Sequence, residues 1–147
     1  MPQLPPCDYV PAKYEGPTKA EVARLRSQFL TPSLVTYYRD PVMIVAGHMQ
    51  YLFDETGKRY LDALSGIVSI SAGHCHPKVI EAVHAQNAAL QHVTTIYLHP
   101  NIALFAEKLV STLPEGLDVV YFTNSGSEAN DLAILMARAY TKNFEVI

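Results

Sequence analysis

The sequence predicts an α/β fold built around a parallel sheet. Two observations predict it. Residues 118–147 run strand, helix, strand, the order of a parallel βαβ unit. Upstream, three segments carry helical rather than alternating apolar spacing. A parallel sheet is buried on both faces and commonly holds about five or six strands. Two strands cannot supply it, and Ile147 leaves the second without a following turn. The expectation is the first part of a larger protein.

Residues 1–17 carry five prolines and no periodic pattern, so they read as an extended tail. Thr18-Lys19-Ala20-Glu21 fits a capping box. The helix it opens, 19–30, aligns Val22, Leu25, Phe29 and Leu30 and stops at Thr31-Pro32. Short β-like runs fill 42–53, and "YLFDETGKRYLDAL" predicts a β-hairpin turning at Gly57. "SGIVSISAGHCHP" is a third apolar stretch, broken by glycines and ended by Pro77. Two helices follow, at 77–91 and 101–112, each introduced by His-Pro. Proline suits a first helical turn because its missing N–H would be unpaired there. Pro114 and Gly116 punctuate the chain before a strand at 118–123 and a helix at 126–141. "NFEVI" reads as the opening of another strand.

The 147 residues are the size of one ordinary domain, and 49% apolar with 17% charged reads as globular. A net charge of −3 with mixed signs leaves no basic stripe for nucleic acid or anionic lipid. No run of about eighteen apolar residues predicts a membrane span. The amino terminus carries neither an apolar signal core nor an Arg-rich transit helix, so a cytosolic protein or one without its import signal is expected. Cys7 and Cys75 make no disulfide framework and read as reduced intracellular thiols.

Chemistry is suggested where the strand at 118–123 hands over to the helix, at Ser125-Gly126-Ser127. A helix amino terminus offers unpaired N–H groups and the positive end of the macrodipole. Small residues let a phosphate approach closely, and serine hydroxyls add donors. The stretch matches neither G-x-x-x-x-G-K-[ST] nor G-x-G-x-x-G, which favours a single terminal phosphate over a nucleotide. A serine cap with glycine easing a tight turn accounts for the same residues. His74, Cys75, His76, His84 and His92 invite a zinc reading. Adjacent ligands rarely converge on one ion, so no metal is expected. Ser65 and Ser127 lack a nucleophile elbow.

"FTNSGSEANDLAILMARAY", with "YLDALSGIVSISAGHCHPKVIEAVHAQ" upstream, resembles the class III pyridoxal-phosphate-dependent aminotransferases. The resemblance runs from residue 5 or so to the end. It implies a fold-type I transferase with a mixed, mostly parallel sheet, present here as an amino-terminal fragment. On it, 18–97 would be an amino-terminal arm with helix, β-meander and first large-domain helix, and 98–147 the start of the cofactor-binding domain. Ser125, Gly126 and Ser127 match the positions around the phosphate of pyridoxal 5'-phosphate. Tyr97 resembles an aromatic lining the substrate entrance, and Ile67 and Val68 another part of that wall; by themselves all three also read as packing residues. Amino acid and keto acid substrates, alanine and glyoxylate among them, a homodimer and a mitochondrial location are likewise implied. None of the six lysines, Lys13, Lys19, Lys58, Lys78, Lys108 and Lys142, matches the family's cofactor-bearing lysine. These residues alone are therefore expected not to transaminate. The alternative expectation is a truncated isoform or incomplete gene model that acts, if at all, by pairing with a full-length subunit.

Overall fold

The computed structural model describes residues 5–146, in two compact units that divide between Gln91 and His92. The first four residues of the predicted tail, and Ile147 of the predicted last strand, lie outside the described residues.

In the first unit, α1 spans Lys19–Phe29. Thr18 caps it, its hydroxyl oxygen accepting the Glu21 N–H at 3.2 Å. The pyrrolidine of Pro32 disfavours helical backbone just before it, and the helix closes with the Leu30 N–H on the Arg26 carbonyl. Three antiparallel strands follow in the order β1-β2-β3: Ile44–His48, Tyr51–Asp54 and Arg59–Leu61. The register places His48 opposite Tyr51 and Phe53 opposite Arg59, with a bulge at Val45.

Alternation along β2 puts Tyr51 and Phe53 on one face. They are the buried apolar side chains among the described residues, 1% and 2% exposed. The tail helps cover them. Tyr9 stacks on His48 at 4.3 Å and tilts onto Phe53 at 5.5 Å. The Tyr51 hydroxyl donates to the Pro5 carbonyl at 2.9 Å. The Arg59 guanidinium lies over the Tyr51 ring at 4.8 Å. The described part of the tail, 5–17, lacks helix and strand, as its prolines predict, yet these contacts hold it against the sheet.

The β2–β3 turn is organised by Asp54. Its carboxylate accepts from the Thr56 N–H and hydroxyl, the Lys58 N–H and the Tyr60 hydroxyl, at 2.9, 2.7, 3.0 and 2.7 Å. Gly57, at φ +83°, supplies the left-handed position this turn needs. A single turn, α2 at Ser65–Val68, and α3 at Pro77–Ala89 complete the unit.

The second unit contains α4, Pro100–Val110, and α5, Gly126–Thr141. No described residue of it is buried. The strands predicted at 118–123 and from Asn143 are not formed among the described residues. A strand exists only with a ladder partner, and no described segment pairs with either. Phe122 instead stacks on Phe105 of α4 at 5.4 Å.

Candidate functional site

Ser125 is the N-cap of α5, in extended backbone at φ −155° and ψ 160°. Its hydroxyl oxygen accepts the Glu128 N–H at 3.2 Å, and the Glu128 carboxylate accepts the Asn124 N–H at 2.6 Å. The cap reading of Ser125 is thus met. It leaves the hydroxyl proton available, because one oxygen can accept and donate together. Gly126 and Ser127 occupy the first helical positions, whose N–H groups no helix can pair internally. Ser125, Gly126 and Ser127 are all exposed. A Cβ built on Gly126 meets nothing within 4 Å, so open space stands over the helix mouth. Main-chain donors, a free hydroxyl proton and the macrodipole thus converge on a corner with room for a phosphoryl group. The residues fit an anion.

Tyr97 lies in the same unit, in a turn closed by its N–H on the Thr94 carbonyl at 3.0 Å, and is 63% exposed.

Ile67 and Val68 belong to the first unit. Helical periodicity does not describe their backbone. Ser65, Gly66, Ile67 and Val68 stand at φ 55°, 60°, 59° and 55°, four consecutive left-handed residues. Three have a Cβ and two are β-branched, which costs roughly 3–6 kcal/mol in all. The turn nevertheless leaves Ile67 and Val68 82% and 78% exposed.

Neighbouring groups hold this conformation. Asp62 Oδ1 accepts from the Leu64 and Ser65 N–H groups at 3.0 and 2.9 Å. Asp62 Oδ2 meets His74 Nε2 at 2.7 Å. The side chains are 9% and 19% exposed. The His74 hydrogen bond, followed by that of the Leu64 N–H, holds the Asp62 carboxyl below the usual carboxylate range. His74 is itself bonded through its backbone to Met49, N–H to carbonyl in both directions, at 2.7 Å. A cavity of about 210 Å³ opens here, lined by Met49, Gln50, Asp62, Ser65 and His74 among others. The pattern Asp62-x-Leu64-Ser65 was a visible signal for the Asp62 contacts, since aspartate readily bonds N–H groups two and three residues on. Its pairing with His74, twelve residues away, carries no such signal.

Among the described residues, no three of His, Cys, Asp and Glu are grouped to hold a metal ion. No helix is long and apolar enough to cross a membrane among them.

A family model for the class III aminotransferases matches residues 35–146. The chain belongs to the class III aminotransferases. A curated member from Arabidopsis thaliana, the mitochondrial alanine–glyoxylate aminotransferase 2 homolog 2, is 53% identical over 139 residues, 95% of this chain and 29% of its own length. Among solved structures, an Arthrobacter phospholyase in complex with phosphoethanolamine is 35% identical at a TM-score of 0.75, covering 84% of this chain and 28% of that one. A Bifidobacterium kashiwanohense taurine:2-oxoglutarate aminotransferase, in complex with PLP and glutamate, is 29% identical at 0.72, covering 88% and 29%. This class III aminotransferase chain spans about three tenths of the relatives it matches. Its fold is that of the fold-type I transferases, of which these residues form a small α/β part.

Proposed function

We propose that this chain supplies the phosphate corner and part of the substrate entrance of an alanine–glyoxylate type aminotransferase. The open corner at the mouth of α5, with donors at Gly126 and Ser127 and space over Gly126, carries the reading. Pyridoxal 5'-phosphate, the cofactor of the class, would supply an electron sink that stabilises the deprotonated carbon during transfer of an amino group from amino acid to keto acid. Gly126 and Ser127 bind its phosphate, and the Ser125 hydroxyl proton adds a donor. Anchoring this unreactive end orients the reactive end, which is where remote binding energy serves catalysis. Ile67 and Val68 of the first unit, and Tyr97 of the second, are each read as substrate-entrance residues from the family resemblance. Alanine as donor and glyoxylate as acceptor follow the name of the Arabidopsis relative, whose mitochondrial designation also supports a mitochondrial location. A homodimer is part of the same reading.

The test is cofactor retention in the full-length protein. Gly126→Val fills the open space, and Ser127→Asp sets a carboxylate against the phosphate. Both should lose bound cofactor on gel filtration, followed by its visible absorbance. Full retention in both variants refutes the corner. Transamination of alanine with glyoxylate should accompany retention, whereas phosphate release from phosphoethanolamine would point to the phospholyase chemistry of the Arthrobacter relative.

A second reading, in which the chain has no chemistry of its own and pairs with a full-length subunit, is favoured by the exposed apolar side chains Ile102, Leu104 and Phe105 on α4. Co-expression that leaves the activity of full-length enzyme unchanged counts against it.

A further inference from the structure

We infer that Asp62 and His74 are positioning residues, a clamp that holds the left-handed turn Ser65–Val68 so that Ile67 and Val68 stand out as a rigid wall at the substrate entrance. The inference rests on the proposed reading of Ile67 and Val68 as entrance residues.

Four consecutive left-handed residues do not persist without outside restraint, because a Cβ crowds the following carbonyl in that conformation. Such outliers survive where surrounding groups over-determine them, and they gather at functional sites. The restraint here can be traced bond by bond. Asp62 Oδ1 draws in the Leu64 and Ser65 N–H groups where the turn begins. The Ser69 and Ile70 N–H groups close on the Ser65 carbonyl at 3.0 Å, and the Ser69 hydroxyl donates to the Gly66 carbonyl at 2.6 Å. None of these bonds ties the turn to the sheet; Asp62 and His74 do so. The Asp62 N–H reaches the Gln50 carbonyl at 2.9 Å, and His74 is bonded through its backbone to Met49. Gly47 and Gly73 make room for that contact: a Cβ on Gly47 would stand 2.9 Å from the His74 Cβ, and one on Gly73 would stand 3.0 Å from the Met49 Cα. The wall is therefore braced from the β1–β2 corner through the Asp62–His74 pair.

The strain gives this brace its functional content: two stiff β-branched side chains are held in a backbone they disfavour, and such outliers gather where function needs them.

The experiment uses the full-length holoenzyme, with alanine and a bulkier amino donor as substrates. Asp62→Ala and His74→Ala should raise the KM for the donor about tenfold, the signature of lost uniform binding at the entrance. The kcat and the bound cofactor should change little. Asp62→Asn, which keeps an oxygen for the Leu64 and Ser65 N–H groups, should restore most of the loss, and His74→Gln likewise keeps a donor for Asp62. The preference between small and bulky donors should flatten in Asp62→Ala as it does in Ile67→Ala, and the double variant should be no worse than the more damaging single. If Asp62→Ala does not fold, His74→Ala carries the same comparison. Loss of kcat and cofactor with KM and donor preference unchanged would mark a merely structural pair and overturn the inference. If Ile67→Ala and Val68→Ala leave both donors unaffected, the entrance reading falls and the inference with it. If those two shift donor preference while both clamp variants do not, only the clamp is wrong.

Discussion

Asp54→Asn isolates one buried carboxylate whose contribution to the sheet can be calculated. Burial alone pushes this carboxyl up, but hydrogen bonds from the Thr56 and Tyr60 hydroxyls and the Thr56 and Lys58 N–H groups overcome it. The carboxyl stands at about 2, against an ordinary 3.8. Each pK unit is worth about 1.4 kcal/mol, so the ionised form stabilises the folded hairpin by about 2 kcal/mol. A depressed folded pKa places that stability above pH 3.8 and removes it as pH falls towards 2. The asparagine variant should be less stable by about 2 kcal/mol at neutral pH and show a shallower pH dependence across that window, with the share of Asp62 remaining. Native-state hydrogen exchange of the β2 and β3 amides between pH 2 and 7, with a carbon-detected titration of the Asp54 side chain, measures both. A carboxyl titrating near 4, or an unchanged pH dependence in the variant, refutes the reasoning.

Three further outcomes follow from contacts in the first unit. The Tyr60 phenol should titrate above its ordinary value, held up first by its hydrogen bond to Asp54 and then by burial and the Asp54 and Glu55 charges, and a normal ultraviolet titration would contradict this. Tyr51→Phe removes the bond to the Pro5 carbonyl, worth about 1 kcal/mol, and should speed tryptic cleavage after Lys13. Gly47→Ala drives a methyl against His74 and should destabilise the first unit by about 1–3 kcal/mol while shifting the imidazole resonances of His74.

Much of the local structure was legible in the sequence. Helices predicted at 19–30, 77–91, 101–112 and 126–141 appear at Lys19–Phe29, Pro77–Ala89, Pro100–Val110 and Gly126–Thr141. Thr18, Pro77, Pro100 and Ser125 announce their starts through chemistry that acts within one turn. The hairpin around Gly57 was legible for the same reason, because a positive φ is a requirement of a single residue. The strand read at 118–123 is not formed among the described residues, since an apolar run states that a segment can pair without supplying its partner. The turn at Ser65–Val68 was invisible, since Ile and Val by themselves disfavour that backbone.

By itself, then, the sequence determined the helices, their caps, the hairpin and, through its motifs, membership of the class III aminotransferases. These are properties of residues a few positions apart, governed by short-range sterics and hydrogen bonds. Tertiary structure decided that Tyr9 and Pro5 close over Tyr51 and Phe53, and that Asp62 and His74 meet across twelve residues to brace a strained turn. Such contacts depend on where the chain returns in space, and on sheet registry placing Met49 beside His74. No local pattern encodes that distance.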